Sequence, residues 1–334
     1  MLASLQLSDG QNLGTSDGRI ALDCSVRKTR FTVHPRHAQL YTISTTDFFF
    51  PLVNSPYMQG RIGAANVLSD LYAEGVEQCD FVLMLLAASR NMPVEERNIC
   101  TKEMVRGFRD ACHEAGTSVT GGQTVLNPWP IIGGVATAVV TEDEFVSSDG
   151  AQVGDVLVLT KPLGTQVAVN VHQWKNTSNN RHWLLCQEFI TDEQADDMMH
   201  DAVCSMARLN RNGARLMLKY QAHAATDVTG FGILGHAQNL SENQKAEVGF
   251  ELFRLPLIAG TRVVNDKVFN FRLTLGYSAE TSGGLLVSLP ADQAEGFIQE
   301  LEELDGTPSW IVGRAVADPE RKSRITDDCI FLEV

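Results

Sequence analysis

The chain has 334 residues, of which 44% are hydrophobic and 20% are charged, a composition typical of soluble globular proteins that form about two domains. The 41 acidic residues outnumber the 27 basic ones and give a net charge of −14, which disfavours nucleic acid or an anionic membrane as a partner. A polyanion such as a nucleotide would therefore need metal ions to mediate its binding, with the acidic residues as ligands.

The cysteine pattern and the lack of long apolar runs indicate in which cellular compartment the protein is found. Seven cysteines are scattered through the chain without a C-x-x-C pair, which argues against a disulfide framework or a zinc knuckle and favours the reducing cytosol. No apolar run approaches the roughly 20 residues of a membrane span, and residues 1–10 lack the basic and apolar regions of a signal peptide. We therefore expect a cytoplasmic protein without a membrane partner.

The N-terminal part of the chain leads into a strand and a capped helix. Residues 1–20 combine a short apolar piece with a linker rich in Gly, Ser and Asp, which we expect to be mobile. Residues 40–43 have the composition of a short strand that ends before Asp47. Ser55 followed by Pro56 predicts a helix start, because Ser is a favoured N-cap and a proline at the first helical position gives up no needed hydrogen bond.

Two polar residues of that helix point to a binding site. Asn66 and Asp70 are four positions apart and therefore share one helix face. Together with Asp47 they can converge on one point, and unpaired acids that meet in a protein usually hold a cation between them. The alternative is that Asp47 caps a turn and that Asp70 is a solvated helix residue.

An α/β unit follows this helix. Residues 80–88 form an apolar run of buried-strand length, and residues 93–115 have proline and acids early and Gly116 just past the end, as a helix does. The order strand, helix, strand is typical of an α/β domain. Gly121 and Gly122 come next, and their backbone amides can hold phosphate oxygens; a plain glycine-rich turn is the alternative.

The second half begins after a stretch of acidic and small residues over 141–154, where we place the domain boundary. A strand is predicted over residues 155–160. Lys161, directly after it, either contacts phosphate or lies exposed in a loop. Residues 187–220 are predicted to be helical.

A further acid lies at a strand end in this second half. Residues 223–227 read as a strand that ends at Asp227, followed by a Gly-x-Gly turn and a helix over residues 233–240. This repeats the strand-then-acid layout of Asp47. His236 on that helix is interpreted as a packed or surface histidine, since no second His or Cys lies at metal-ligand spacing.

Three long stretches carry a resemblance to a known family. They are GTSVTGGQTVLNPW from residue 116, LTKPLGTQVAV from residue 159 and HAATDVTGFGILGHAQNL from residue 223. Through them the chain resembles selenophosphate synthetase of the eukaryotic type, over nearly its whole length from about residue 23 onward. These stretches are far longer than a short pattern match.

The resemblance implies a fold and a reaction. It implies the two-domain α/β (α+β) architecture of the aminoimidazole ribonucleotide synthetase-like (PurM-like) superfamily. Residues 21–148 would form the N-terminal domain that binds ATP and Mg²⁺ and pairs two chains into a homodimer, and residues 149–334 would form the C-terminal PurM-like domain. The implied enzyme, a selenide, water dikinase, converts ATP, selenide and water into selenophosphate, AMP and phosphate.

The resemblance also assigns residues to the site. It implies that Asp23, Asp70 and Asp227 coordinate magnesium. Asp47 and Asp70 would act at the phosphates of the nucleotide. The backbone contacts to ATP would come from a short glycine segment made up of Gly121, Gly122, Gln123 and Thr124.

One part of the family pattern is absent from the chain. The reactive Cys or selenocysteine, followed closely by Lys in a glycine-rich N-terminal segment, has no counterpart, so we expect the chain to begin downstream of it and to make little selenophosphate. Cys24, beside Asp23, invites the role of substitute nucleophile, with ordinary packing as the alternative. Two other hypotheses stay open: a non-catalytic paralogue with a regulatory role, and a related ATP-dependent enzyme of the superfamily.

Overall fold

The computed structural model describes residues 18–20, 23–29 and 39–334. The expectation of a mobile N-terminal segment falls mostly on residues 1–17, outside the described residues. The strands are β1 Gly18–Ile20, β2 Ser25–Lys28, β3 Leu40–Phe49, β4 Phe81–Ser89, β5 Val119–Asn127, β6 Ile131–Thr141, β7 Val156–Leu159, β8 Ala224–Asp227, β9 Val248–Leu257, β10 Leu285–Leu289, β11 Trp310–Ala317 and β12 Arg324–Glu333. The helices are α1 Pro56–Ala73, α2 Val94–Glu114, α3 Thr165–Lys175, α4 Arg181–Cys186, α5 Asp192–Ala207, α6 Arg211–Lys219, α7 Gly232–Glu242, α8 Thr261–Lys267 and α9 Ala294–Asp305.

The first half of the chain builds one mixed sheet with the strand order β1-β2-β3-β6-β4-β5. Every neighbouring pair is antiparallel except β4 and β5, which are parallel and joined by α2. A parallel pair needs such a crossover, which is why the predicted strand, helix, strand order appears here. The pairing leaves β5 at one edge of the sheet.

Helix α1 is the structural centre of the site. Ser55 caps its N-terminus by accepting a hydrogen bond from the Met58 amide, and Pro56 is its first residue, as predicted. The backbones of α1 and α2 approach each other closely at glycines. A Cβ at Gly60 on α1 would lie 2.1 Å from the carbonyl oxygen of Met104 on α2. Only glycine permits this contact, which brings α1 and α2 close together.

The second half of the chain builds its own sheet, with the order β12-β9-β11-β7-β10-β8. All pairs are antiparallel except β12 with β9. The two sheets are separated in sequence by the segment between β6 and β7, which contains the predicted boundary region. In each half the sheet packs against helices around buried apolar side chains.

Helix α1 also connects the two halves. It contacts β3 and β6 of the first sheet as well as α5, α6 and β8 of the second half. Most of its residues are buried, including Asn66 and Ser69. A hydrogen bond of 3.0 Å from Asn210 Nδ2 to Ser69 Oγ ties the second half directly to the helix. Residues that α1 presents are therefore held in fixed positions relative to both sheets.

Two predicted elements differ in extent from the structure. The strand predicted over residues 40–43 continues through Asp47 to Phe49, because β3 pairs with β6 along its whole length. The helical region predicted over residues 187–220 is divided into α5 and α6, since Arg208 adopts an extended conformation and ends α5. Among the described helices, none is long and apolar enough to cross a membrane.

Candidate functional site

Three aspartates from distant parts of the chain meet beside α1. Asp23 precedes β2, Asp70 lies in the last part of α1, and Asp227 is the final residue of β8. One carboxylate oxygen from each lies within 4.8 Å of the others. The three acids that the resemblance assigns to magnesium thus lie together, although they come from both halves of the chain and are up to 204 residues apart.

Threonine hydroxyls hold part of this cluster. Thr45 on β3 donates a short hydrogen bond to Asp70 Oδ2. Thr226 Oγ1 lies 3.3 Å from Asp23 Oδ1. Asp227 is fixed through its backbone, because β8 pairs with β10 and sets Asp227 opposite Leu285. Asp70 and Asp227 are therefore oriented by the helix and the strand that carry them, and Asp23 and Asp70 each have a threonine hydroxyl as a neighbour.

The cluster has more buried negative charge than its protein partners neutralise. Asp23 Oδ2 and Asp227 Oδ2 are buried, and neither finds a hydrogen-bond partner among the described residues. Burial, followed by repulsion from Asp227, raises the pKa of Asp23 and of Asp70 well above their ordinary values. Burial also raises the pKa of Asp227 to about 6. Such groups are stable as carboxylates only with a cation among them.

The donor set fits magnesium. Mg²⁺ prefers oxygen ligands and commonly binds through one or a few carboxylates while other positions go to water and substrate phosphates. The three aspartates supply only oxygen atoms, and two of those atoms lack any other partner in the described part of the chain. A soft metal would require thiolate or imidazole ligands, which the cluster does not offer.

Asp47 lies beside the cluster rather than in it. It sits within β3, where its Oδ1 accepts a hydrogen bond of 2.8 Å from the Phe48 amide. Its Oδ2 accepts a short hydrogen bond from Asn66 Nδ2 on α1. Burial raises the pKa of Asp47, and these two hydrogen bonds act in the opposite direction. Asn66 and Asp47 are thus in contact, and besides burial, repulsion from Asp47 also contributes to the raised pKa of Asp70.

The glycine segment is part of a strand, which corrects the interpretation as a turn. Gly121, Gly122, Gln123 and Thr124 lie in β5 and are exposed. Gly122 has φ +145°, and a Cβ there would lie 1.9 Å from the Met84 carbonyl oxygen, so the pairing with β4 requires glycine. Pairing in register places Gly122, Met84, Gly134 and Asp47 in one row across four strands. Three strand spacings separate Gly122 from Asp47, about 14 Å.

Lys161 has neither of the two roles considered from the sequence. Its side chain is completely buried, and Nζ donates to the carbonyl oxygens of Arg208, at 2.7 Å, and Ser282, at 2.8 Å. Burial lowers the pKa of Lys161 well below its ordinary value. It is therefore a structural cation that joins two loops next to the site, and it is not exposed to a phosphate or to solvent.

His236 and Cys24 are packing residues. The Nε2 atom of His236 accepts a hydrogen bond of 3.0 Å from the Thr229 amide and so holds the turn after Asp227, which agrees with the prediction that it is not a metal ligand. Cys24 is 3% exposed, and burial raises the pKa of its thiol well above the ordinary value. A buried thiol that resists ionisation is a poor nucleophile, which favours ordinary packing for Cys24.

Several residues that shape the site had no clear signal in the sequence. In the loop between Glu280 and Gly284, the Ser282 amide donates a 2.9 Å hydrogen bond to Asn66 Oδ1 across the two halves of the molecule. Asn210 donates to both Ser69 and the Gly283 carbonyl. These contacts join residues that are far apart in sequence, so no local sequence pattern predicts them.

Comparison with known families defines the class of protein. Residues 23–140 match the family described as AIR synthase related protein, N-terminal domain. Residues 152–326 match the corresponding C-terminal domain. The chain is thus a two-domain protein of the AIR synthase-related class, in agreement with its two sheets and with the acids that meet between them.

Relatives of known activity define the family more closely. The chain is 49% identical to selenide, water dikinase from Dictyostelium discoideum, over 98% of this chain and 87% of that protein. It is 51% identical to selenide, water dikinase from Trypanosoma brucei brucei, over 92% and 79%, and 53% identical to selenide, water dikinase 2 from Homo sapiens, over 90% and 67%. The chain belongs to the selenide, water dikinase family.

Solved structures share the fold at low sequence identity. Thiamine-monophosphate kinase from Stenotrophomonas maltophilia has a TM-score of 0.65 and 18% identity, covering 98% of this chain and 94% of that one. The hydrogenase maturation protein HypE in complex with ATP has a TM-score of 0.64 and 16% identity, covering 88% and 80%. The predicted two-domain PurM-like architecture is confirmed.

Proposed function

We propose that this chain catalyses the reaction of its family, in which ATP, selenide and water give selenophosphate, AMP and phosphate, at the acid cluster formed by Asp23, Asp70 and Asp227. The observation that carries the proposal is the meeting of these carboxylates from both domains, with two buried oxygen atoms that lack any partner in the described part of the chain. Transfer of phosphoryl groups depends mainly on neutralised charge and on positioning, which such a cluster provides through metal ions.

We propose that Asp23, Asp70 and Asp227 hold Mg²⁺. When bound, this ion neutralises phosphate charge and acts as a Lewis acid at phosphoryl oxygens. The protein contributes the orientation of the three carboxylates: Thr45 fixes Asp70, and the pairing of β8 with β10 fixes Asp227. The turn after Asp227 is held by His236, which accepts a hydrogen bond from the Thr229 amide.

ATP is proposed to extend from this cluster along the first sheet. Asp47 lies next to the cluster, and the exposed backbone of Gly121, Gly122, Gln123 and Thr124 lies farther along the same row of the sheet. Their separation of about 14 Å suits a nucleoside triphosphate in an extended conformation. We assign the N-terminal domain, residues 21–148, to nucleotide and metal binding, and residues 149–334 to the second domain that supplies Asp227.

We propose that two chains pair through β5. Among the described strands it has a neighbour on one side only, and Val125 and Leu126 on it are 50% and 64% exposed. Phe48 and Leu85 line an apolar hollow beside it. An edge strand with free backbone groups and apolar side chains is a ready surface for pairing with another strand. A second copy of the chain would cover both.

The seven cysteines support a reducing compartment for this proposed function. All seven are present as free thiols. Disulfides form and persist in oxidising compartments, whereas thiols stay reduced in the cytosol. We therefore assign the protein to the cytoplasm.

The acid cluster can be tested by substitution. We expect Asp70→Asn and Asp227→Asn to abolish magnesium-dependent ATP binding, measured by titration calorimetry, because each removes a carboxylate from the cluster. Loss of affinity should be on the order of a hundredfold or more. Asp197→Asn, which changes an exposed acid on α5, should bind as the unaltered protein does. Normal binding by Asp70→Asn and Asp227→Asn would refute the assignment.

The reaction is tested by the identity of its products. Incubation with ATP, Mg²⁺ and selenide should give AMP, and omission of selenide should prevent this. The assay identifies the product, so it stays informative when turnover is slow. Formation of ADP as the final nucleotide, or of AMP at the same rate without selenide, would contradict the proposed function.

A further inference from the structure

The loop from residue 280 to 284 joins the two domains and is held at nearly every polar group. The Glu280 carboxylate accepts from the amides of Gly164 and Thr165, at 2.7 and 2.9 Å, at the start of α3. The Gly283 carbonyl accepts from Asn210 at 2.8 Å, and the Gly284 carbonyl accepts from the Val228 amide at 2.9 Å. These hydrogen bonds hold the loop firmly within the second domain, next to α1.

Ser282 is the point at which this loop meets the site. Its amide donates to Asn66 Oδ1 at 2.9 Å, and its carbonyl oxygen accepts from Lys161 Nζ at 2.8 Å. The residue is 1% exposed and has φ +48°, in the left-handed region. Its hydroxyl is buried and finds no hydrogen-bond partner among the described residues. Both backbone groups of Ser282 therefore make hydrogen bonds, whereas its hydroxyl makes none within the described part of the chain.

Serine at this position is unfavourable for the fold alone. A left-handed backbone conformation is strained for any residue that has a Cβ, and glycine would relieve it. A buried hydroxyl without a partner loses its hydrogen bonds to water and gains none, so alanine would avoid that loss. Backbone strain and an unpaired polar group together are typical of positions that serve a ligand.

The neighbours of Ser282 indicate which ligand this is. Asn66 accepts a hydrogen bond from the Ser282 amide and also donates one to Asp47. Asp70 lies one helical turn farther along α1. On the other side, Gly283 packs so closely on Val228, the residue after Asp227, that a Cβ would lie 2.0 Å from the Val228 carbonyl oxygen. Ser282 therefore contacts Asn66, the residue that joins it to Asp47, and the loop that carries Ser282 packs against the residue that follows Asp227.

We propose that the hydroxyl of Ser282 donates a hydrogen bond to a phosphoryl oxygen of the bound nucleotide. This inference rests on the proposed function, because it assumes that ATP occupies the site. The contacts of the loop hold the backbone of Ser282 in place before the substrate arrives. A hydrogen bond to a charged phosphate is among the stronger ones in proteins, and it satisfies the group that the fold leaves unpaired.

The test compares Ser282→Ala with Ser288→Ala. Ser288 on β10 is also fully buried, but its hydroxyl donates to Asp155 at 2.8 Å within the second domain. Thermal unfolding of the ligand-free proteins should show an unchanged or higher melting temperature for Ser282→Ala and a lower one for Ser288→Ala. The dissociation constant for ATP with Mg²⁺ should rise about tenfold to a hundredfold for Ser282→Ala, the loss expected for one charge-assisted hydrogen bond, and stay unchanged for Ser288→Ala.

A Ser282→Gly variant separates strain from ligand contact. Glycine relieves the left-handed conformation and also removes the hydroxyl, so its nucleotide affinity should fall as far as that of Ser282→Ala. Unchanged affinity in both variants would overturn the inference, and so would a melting temperature for Ser282→Ala as low as that of Ser288→Ala. Asp227→Asn is the reference: if it loses binding while Ser282→Ala does not, the inference fails and the proposed function stands. If the unaltered protein does not bind ATP, both fail.

Discussion

At the scale of single residues, the site is a balance between buried charge and its partners. Asp23, Asp70 and Asp227 repel one another in a buried setting, whereas Lys161 is buried with two carbonyl oxygens around its ammonium group. Burying unpaired acids destabilises a fold unless a cation binds among them. The proposed metal binding would explain why the chain carries this cluster.

His236 gives a prediction on the pH dependence of stability. Burial lowers its pKa from the ordinary 6.5 to about 4. Below pH 6.5 the unfolded chain takes up a proton that the folded protein does not, so the free energy of unfolding falls as the pH falls from 6.5 to 4. The loss attributable to His236 is about 3 kcal/mol. Denaturant unfolding at a series of pH values measures it.

The matched control for this prediction is His236→Gln, whose side-chain oxygen can accept the Thr229 hydrogen bond but does not titrate. Its free energy of unfolding should decline less between pH 6.5 and pH 4 than that of the unaltered protein, by about the same 3 kcal/mol. Parallel curves for the two proteins would show that His236 protonates freely in the folded state, contrary to its burial.

The sequence was informative about these residues only where the signal was local. Asp227 was found because an acid follows a strand and precedes a glycine turn. The burial of Lys161 could not be predicted, since a lysine after a strand is usually exposed and its partners, Arg208 and Ser282, lie 47 and 121 residues away. Ser282 was hidden for the same reason.

At the scale of elements, α1 and β5 show what a sequence pattern can and cannot reveal. The start of α1 was predicted from Ser55 and Pro56, whose capping chemistry is local. The burial of α1 on several sides was not, because a periodic pattern identifies one core face and cannot reveal that a second domain covers another. For the glycines of β5 the sequence left a phosphate contact and a turn as alternatives, because the need for glycine there, the close approach to Met84 on β4, comes from tertiary pairing.

The exposed edge of β5 gives a prediction on assembly. Leu126→Glu should convert the proposed homodimer into monomers, because a charge on the edge strand opposes pairing with a second copy. Sedimentation equilibrium should report the mass of one chain for this variant and of two chains for the unaltered protein.

Leu304→Glu is the control for this experiment, because Leu304 is an exposed leucine, 41% accessible, on α9 of the second domain, away from β5. It should remain dimeric. A monomeric unaltered protein, or a Leu126→Glu variant that stays dimeric, would show that β5 does not mediate the pairing.

At the scale of the whole molecule, the site exists only because two domains meet. The order of strands and helices was enough to predict α/β domains, and the long stretches around residues 116, 159 and 223 were enough to predict the superfamily. The contacts that bring Asp227 to Asp70 run through Asn66, Asn210 and the loop at Ser282, which span both halves of the chain. Such contacts depend on how the completed domains pack, which local sequence patterns do not encode.

The most direct test of the central claim is a crystal structure of the protein with Mn²⁺ in place of Mg²⁺ and a non-hydrolysable ATP analogue. Manganese is located by its anomalous scattering and accepts the same oxygen ligands. We expect at least one manganese ion about 2.0 to 2.4 Å from carboxylate oxygens of Asp23, Asp70 and Asp227, with the analogue's phosphates on its open side. Bound nucleotide with manganese elsewhere and none among these three aspartates would contradict the account.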